Sequence, residues 1–229
     1  MRFRLILAAL ILCHHYSLIA QSGTTEELPI KVFESKGKDD ALIIYISGDG
    51  GWNMFSQSLT KQLVEIGFNT IVLDSYKYFY DEKSPARFAN DIETIAQKYL
   101  TRWNKEKIII VGYSFGADVA AFLPQQLSDS VKEKLKFITL LSPSVSTDFE
   151  IRFTDMLLSN GSEDRKYKIT PVLTSPDIPT MCIFGKDERN LLKDKLKKDK
   201  NLFIVDVPGS HQYNDDVVLL SNLIRDFKM

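Results

Sequence analysis

Lys107-Ile108-Ile109-Ile110-Val111-Gly112-Tyr113-Ser114-Phe115-Gly116-Ala117-Asp118 is a β-branched run that stops at a Gly-x-Ser-x-Gly pentapeptide. Ile108 to Val111 have the length and composition of a fully buried strand, and Ala117 to Leu123 begin an apolar helix. Ser114 therefore falls on a sharp strand-to-helix turn, the setting of a nucleophile elbow. Gly112 and Gly116 leave room where side chains would collide with neighbouring backbone, so the turn can hold a serine hydroxyl out at the top of a sheet. Glycine and serine also favour ordinary turns. The weight thus rests on whether an acid and a histidine follow two later strands.

Both do. His211 lies in Pro208-Gly209-Ser210-His211-Gln212, directly after the strand-like run Leu202 to Val207. That loop opens at the same sheet edge as Ser114, where a weakly nucleophilic hydroxyl needs a base. The preceding apolar run, Thr180 to Phe184, ends in Gly185-Lys186-Asp187-Glu188-Arg189, which offers two adjacent carboxylates. Either Asp187 or Glu188 is expected to orient the imidazole and stabilise the imidazolium. Asp187 has the commoner side chain for that role, while a Gly-x-x-acid spacing points to Glu188.

The oxyanion of an acyl-transfer intermediate needs two backbone N–H donors, one from the residue after the nucleophile and one from an early central loop. Phe115 supplies the first. The second is expected from Ser47-Gly48-Asp49-Gly50-Gly51-Trp52, through the N–H of Asp49 or alternatively Gly50. This glycine-rich run lacks the spacing and the lysine-serine ending of phosphate loops. Asp118 is unusual because an acid so near the nucleophile opposes a developing oxyanion. It is either held by backbone donors or forms a negative wall for a cationic substrate. Trp52 and the aromatic stretch Tyr76 to Tyr80 are candidates for a substrate cleft, or for packing.

Strand-like and helix-like segments alternate along the chain. Leu28 to Phe33 reads as an edge strand marked by Pro29, Ala41 to Ile46 and Phe68 to Leu73 as buried strands, and Lys136 to Leu141 as the strand after the elbow helix. Helices are expected from Trp52 to Gly67, from Ser84-Pro85 to Tyr99, from about Asn190, and at the end through Phe227. This alternation predicts a mostly parallel, doubly wound α/β sheet with helices on both faces, and ligands beyond the carboxyl ends of the strands. Ser142 to Pro179 is one long irregular insertion, either lid or decoration. Within it Phe149 to Phe153 alternate as an added edge strand would.

The 229 residues, 44% hydrophobic and 26% charged, suit one domain with a real core. Met1-Arg2-Phe3-Arg4, the apolar run Leu5 to Cys13 and the small Ala20 make up the three regions of a secretory leader, too short to span a bilayer. Cleavage is expected near Ala20/Gln21, leaving residues 21–229 as a single exported domain. Leu12 is bulky where a lipoprotein signal wants a small residue, so Cys13 is a poor lipid anchor. The leader carries His14 and His15, which makes His211 the remaining histidine of the mature chain. Removing Arg2 and Arg4 from the 29 basic side chains leaves 27 against 30 acidic ones, which gives no support for nucleic-acid binding. The mature chain keeps a single cysteine, Cys182, inside an apolar run. It is expected to pack, and one histidine without a cysteine cluster predicts neither a metal site nor a cofactor. Lys193, Lys195, Lys197, Lys198 and Lys200 form a basic run on the helix expected after Asn190, either a solvated face or a contact with an anionic lipid surface.

Ser47-Gly48-Asp49-Gly50-Gly51-Trp52, Asp74-Ser75-Tyr76-Lys77-Tyr78-Phe79, Gly112 to Asp118, Asp148-Phe149-Glu150 and the Gly209 to His211 turn together resemble the bacterial virulence protein VirJ family and the related AcvB proteins. The resemblance covers nearly the whole mature chain. It implies an α/β-hydrolase fold in the periplasm and hydrolysis of aminoacylated phosphatidylglycerol, especially the lysyl form. In plant-associated bacteria it also implies a connection with type IV secretion proteins. Where the family tends to show paired histidines before an aromatic, this chain has His211-Gln212-Tyr213. The expected activity is that of a serine esterase acting on a lipid or small ester. The alternatives are an exported carboxylesterase of other specificity and a non-catalytic adaptor of a secretion machine on the same fold.

Overall fold

The computed structural model describes residues 27–37, 39–152 and 165–227; the leader and its cleavage point lie outside them. In chain order the strands are β1 (Ile30–Phe33), β2 (Ala41–Ile46), β3 (Asn69–Leu73), β4 (Lys107–Tyr113), β5 (Leu135–Leu141), β6 (Ser146–Thr147), β7 (Tyr167–Lys168), β8 (Thr180–Gly185) and β9 (Leu202–Val207). Seven of them form the main sheet in the order β1-β3-β2-β4-β5-β8-β9. All its pairings are parallel except that of the edge strand β1, which runs antiparallel to β3. This is the expected α/β architecture.

Every residue of β2 is buried, because helices cover both faces and alternation has nothing to select. The period of two still sorts the side chains. Leu42, Ile44 and Ile46 join Ile108 and Ile110 on one face, with Ile92 and Ala96 of α3 (Pro85–Trp103) and Ala117 of α4 (Phe115–Ala120). Ala41, Ile43 and Tyr45 join Ile109 and Val111 on the other, with Leu59 and Leu63 of α1 (Met54–Glu65) and Leu220 and Ile224 of α9 (Val217–Asp226). Each leucine, isoleucine or valine among them contributes about 1.5–3 kcal/mol by burial. Two cores on opposite faces therefore clamp the sheet whose upper edge carries the loops.

Helix ends follow local chemistry. Asn53 caps α1 by accepting from Ser56 N, and Gly67 turns the chain at φ +117° just after the helix. Ser84 accepts from Arg87 N at the start of α3, with Pro85 in its first turn. That helix runs past Tyr99 to Trp103 and ends at Asn104, which adopts the left-handed conformation at φ 48°. Ser75–Tyr78 forms a short helix, α2, inside the aromatic stretch.

Three expectations change. The elbow helix breaks into α4, α5 (Leu123–Gln126) and α6 (Asp129–Lys132), with Pro124 at the start of the second piece. The helix after Asn190, here α8 (Leu191–Lys195), ends at Lys195 because Leu196 is extended. The basic run to Lys200 is therefore not one helical face. Within the insertion, which also carries α7 (Ile169–Leu173), the added ribbon is β6 with β7 rather than residues 149–153. Phe149 is instead buried against Phe79, Phe88, Phe122 and Tyr167, and Ile151 N donates to Phe79 O at 2.8 Å. Phe153 and the rest of the insertion to residue 164 lie outside the described residues.

Candidate active site

Ser114 sits between β4 and α4 at φ 53°, ψ −121°, a conformation that costs a non-glycine residue energy and that tight packing must hold in place. The packing comes from glycine. A Cβ on Gly116 would run into the backbone carbonyls of Ile46 and Ser47, and one on Gly112 would lie 2.5 Å from Gly116 O. The elbow is thereby pressed onto the carboxyl end of β2, which brings the Ser47 to Trp52 loop beside the serine.

The hydroxyl meets its partners in line. Ser114 Oγ lies 2.9 Å from His211 Nε2, and His211 Nδ1 lies 2.8 Å from Glu188 Oε1. Ring nitrogen roles follow from these neighbours: a carboxylate accepts from Nδ1–H, which leaves Nε2 free to accept from the serine. Of the two carboxylates between which the sequence leaves the choice open, Glu188, the one the Gly-x-x-acid spacing points to, faces the imidazole. Asp187 is exposed, and its N–H donates to Gly209 O at 3.0 Å, which ties the acid loop to the histidine loop.

Two residues not singled out in the sequence hold Glu188, and a third, Tyr213, stands behind them. Ser142 Oγ donates to Oε2 at 2.6 Å, and Asn190 Nδ2 donates to Oε1 at 3.3 Å. Ser142 Oγ is also 2.6 Å from Tyr213 Oη, which in turn reaches Ile183 O at 3.0 Å. Ser142 itself has φ 50°, so the end of β5 is bent to serve the acid. No local motif announces these residues, since they act through strand order rather than chain proximity.

Burial alone would raise the Glu188 carboxyl, but the bonds from His211, Ser142 and Asn190 outweigh it and hold it below its ordinary value. For His211 burial works downward, while the Glu188 carboxylate, with contributions from Asp49 and Asp118, raises it above its ordinary value. The pair is thus an anionic acid beside a strengthened base.

The N–H groups of Phe115 and Asp49 have no acceptor among the described residues. Gly50 N–H donates to Asp49 Oδ1 at 2.9 Å, so between the two alternatives for the second oxyanion donor Asp49 is the open one. Gly48 abuts the serine, since a Cβ there would come within 3.5 Å of Ser114 Cβ.

Other expected site residues have different surroundings. Asp118 is buried, and both its oxygens are taken by Ser144: the N–H donates at 2.6 Å and the hydroxyl at 2.7 Å. Burial nonetheless pushes its carboxyl up to about 7. The side chain braces the loop after β5 and is not an open pocket wall. Trp52 stacks on Phe33 of the edge strand β1 at 5.6 Å with Lys31 over its ring, three strands away from β4. Tyr78 and Phe79 belong to the core, while Tyr76 and Tyr80 are exposed. Cys182 is buried, which pushes its thiol up to about 12 and leaves it a packing residue. Among the described residues no group of three or more His, Cys, Asp or Glu is placed to hold a metal ion.

Solved structures similar to this chain share the α/β-hydrolase fold. Est1E from Butyrivibrio proteoclasticus, with ferulic acid bound, superposes with a TM-score of 0.60 at 16% identity, covering 87% of this chain and 93% of that one. A lipase-esterase related protein from Clostridium acetobutylicum ATCC 824 gives 0.59 at 16% identity over 88% and 99%. An alpha-beta serine hydrolase homologue from Coxiella burnetii gives 0.57 at 15% over 87% and 91%. Comparison with curated proteins finds no match. The elbow, the Ser-Gly-Asp-Gly-Gly-Trp loop and the histidine turn all fall within residues 40–228, which match the bacterial virulence protein (VirJ) family, and the chain belongs to that family.

Proposed function

We propose that this protein is an exported serine esterase that removes the aminoacyl group, the lysyl form above all, from aminoacylated phosphatidylglycerol. The observation that carries the reading is the continuous hydrogen-bonded line from Ser114 through His211 to Glu188 at a strained elbow, with two unpaired N–H donors beside it. Ser114 Oγ attacks the ester carbonyl carbon as His211 Nε2 takes the hydroxyl proton. The carbonyl oxygen gathers negative charge against the N–H groups of Phe115 and Asp49. Collapse breaks the bond to the glycerol oxygen, which leaves with the proton from His211. Water then repeats the sequence on the acyl-serine, giving its proton to His211 and releasing the amino acid and free serine. Glu188 stays ionised throughout and holds the imidazole in the required tautomer.

Family membership supports the aminoacyl substrate, and the leader at Met1 to Ala20 supports a periplasmic location. Lys195, Lys197, Lys198 and Lys200 are exposed and give anionic lipid a place to bind, at about 1 kcal/mol for each basic residue near the surface. Lys193 is paired with Asp206 at 2.8 Å and contributes less. The test is turnover of lysyl-phosphatidylglycerol by purified mature protein and by Ser114→Ala, beside lipid analysis of a deletion strain. Wild type is expected to release lysine and the variant to be at background. Equal, background-level release by both would sink the aminoacyl-lipid substrate, and the same result on a panel of acyl and aminoacyl esters would sink the esterase reading.

A further inference from the structure

Asp49 presents a physical contradiction. Its N–H is one of the two donors open to a developing oxyanion, yet its own carboxylate is exposed at the same rim. The side chain is not turned away at random. Oδ1 is held by Gly50 N–H at 2.9 Å, in a loop whose preceding residue, Gly48, lies against Ser114. Other acids stand around the same space: Glu188 and Asp118 act on His211 together with Asp49, while Tyr113 is raised first by burial and then by Asp49, Glu188 and Asp215. Glu188 and Asp118 have their oxygens engaged by neighbours, and Asp215 is an exposed acid on the histidine loop; Asp49 differs from all three in carrying its carboxylate on the same residue whose N–H is open to the oxyanion.

A fixed negative charge beside an oxyanion hole raises the energy of the transition state for a neutral ester. It becomes favourable only when the substrate brings a positive charge to that spot. With a carbonyl oxygen received by that N–H, an ammonium on the acyl carbon next to the carbonyl comes within reach of the same residue's carboxylate. We propose that Asp49 is a specificity-determining residue whose carboxylate receives an ammonium group on the acyl side of the ester, selecting aminoacyl esters over neutral acyl esters. The assignment rests on the esterase reading above and adds to it a residue and a side of the substrate. It also predicts breadth, because the α-ammonium is common to lysyl and alanyl esters.

Asp49→Asn keeps the backbone N–H and an oxygen for Gly50 N–H, and removes only the charge. The probes are the 4-nitrophenyl esters of alanine and of propionate, which share shape and leaving group, with N-acetylalanine 4-nitrophenyl ester as a control on wild type. Relative to wild type, Asp49→Asn is expected to lose about tenfold in kcat/KM on the alanyl ester, equivalent to ~1.4 kcal/mol, and to gain severalfold on the propionyl ester. N-acetylation, which abolishes the cation without touching the protein, is expected to erase the preference of wild type for the alanyl ester over propionyl. A choline ester, cationic on the alcohol side, is expected to gain nothing from Asp49. If both esters move by the same factor in Asp49→Asn, or if wild type shows no preference for the free amine over the acetylated one, the inference is overturned while the esterase reading stands. Absence of any Ser114-dependent ester turnover would overturn both.

Discussion

Replacing Glu188 by Gln separates two things a triad acid does, because the hydroxyls behind it can rearrange. Glu188 accepts from His211 Nδ1 on one oxygen and from Ser142 Oγ on the other. A Gln amide accepts on one side only. With its NH2 toward His211, Nδ1 would have to accept and the ring proton would move to Nε2, leaving Ser114 without a base. That wrong tautomer accounts for the loss of about 10⁴-fold in the chymotrypsin-type triad. Here there is an alternative. With the NH2 toward Ser142, the Ser142 hydroxyl can turn to Tyr213 Oη, 2.6 Å away, and Tyr213 can donate to Ile183 O at 3.0 Å. Every group stays paired and His211 keeps its tautomer. What remains lost is the charge that stabilises the imidazolium. Two unit charges about 4 Å apart interact by ~4 kcal/mol at an effective dielectric near 20, or about 10³ in rate. Glu188→Gln is therefore expected to lower kcat by about 10²–10³, with its acid-side pH midpoint shifted downward because the carboxylate that raises His211 is gone. Asp187→Asn is expected to stay within about threefold of wild type. The assay is kcat and KM against pH on one aminoacyl ester for all three proteins. Comparable losses in the two variants, or less than about a tenfold loss in Glu188→Gln, would refute Glu188 as the orienting acid; a full 10⁴ would refute the hydroxyl rearrangement alone.

The brace behind the acid is expected to matter for both activity and stability. Ser142→Ala leaves a Glu188 oxygen short of a partner, while Tyr213 Oη keeps Ile183 O as its acceptor, so denaturant unfolding is expected to show a loss of about 1–3 kcal/mol, with kcat reduced about tenfold or less. Intact stability in that variant would remove Ser142 from the argument. Asp118→Asn is expected to fold and to lose equally on lysyl and alanyl lipids, since its carboxylate holds Ser144; a selective loss on the lysyl lipid would return Asp118 to the substrate pocket. Its stability should also depend less on pH. The folded carboxyl titrates at about 7 and an unfolded one near 3.9, so its contribution to stability is complete below about pH 4 and is lost as pH rises through 7. Asp118→Asn is expected to gain on wild type in unfolding midpoint between pH 5 and 8, and parallel pH profiles would contradict that.

Much of this was legible because some features are local. The run Ile108 to Val111 and the two glycines around Ser114 announce a strand, a turn and a close approach within a single stretch, and the loops holding Glu188 and His211 follow strands that read as apolar runs. The choice between Asp187 and Glu188 was not legible. Adjacent residues leave a turn in different directions, and which of them meets His211 depends on Asp187 N–H pairing with Gly209 O across two loops. Ser142 read as the start of an insertion because its partners are 46 and 71 residues distant. Asp118 drew attention through its closeness to Ser114 in sequence, yet in space its oxygens face Ser144, from the neighbouring strand's loop. The alternation at Phe149 to Phe153 was misleading for a further reason: Phe149 is buried by an aromatic cluster, and its backbone is tied to Lys83 rather than to a strand.

Strand order explains why the site needs this bracing. The nucleophile leaves β4 and the histidine leaves β9, with β5 and β8 between them. Neighbouring strands lie about 4.8 Å apart, so three intervals separate those two strand ends by roughly 14 Å, far beyond hydrogen-bond reach. The loop after β9 must therefore fold back across both intervening ends. Gly209 turns it at φ +95°, Tyr213 fixes it to Ile183 of β8 and to Ser142 after β5, and Tyr113 Oη donates to His211 O at 3.3 Å from the nucleophile strand itself. Glu188, from the end of β8, stands in the interval that His211 crosses, and Ser142, from the end of β5, holds its other oxygen. Each of the four strand ends thus contributes one member to a chain that starts at the serine and returns to the strand beside it. A disturbance at Ser142 or Tyr213 should for that reason appear at Ser114 as a loss of alignment, even though neither side chain touches the nucleophile.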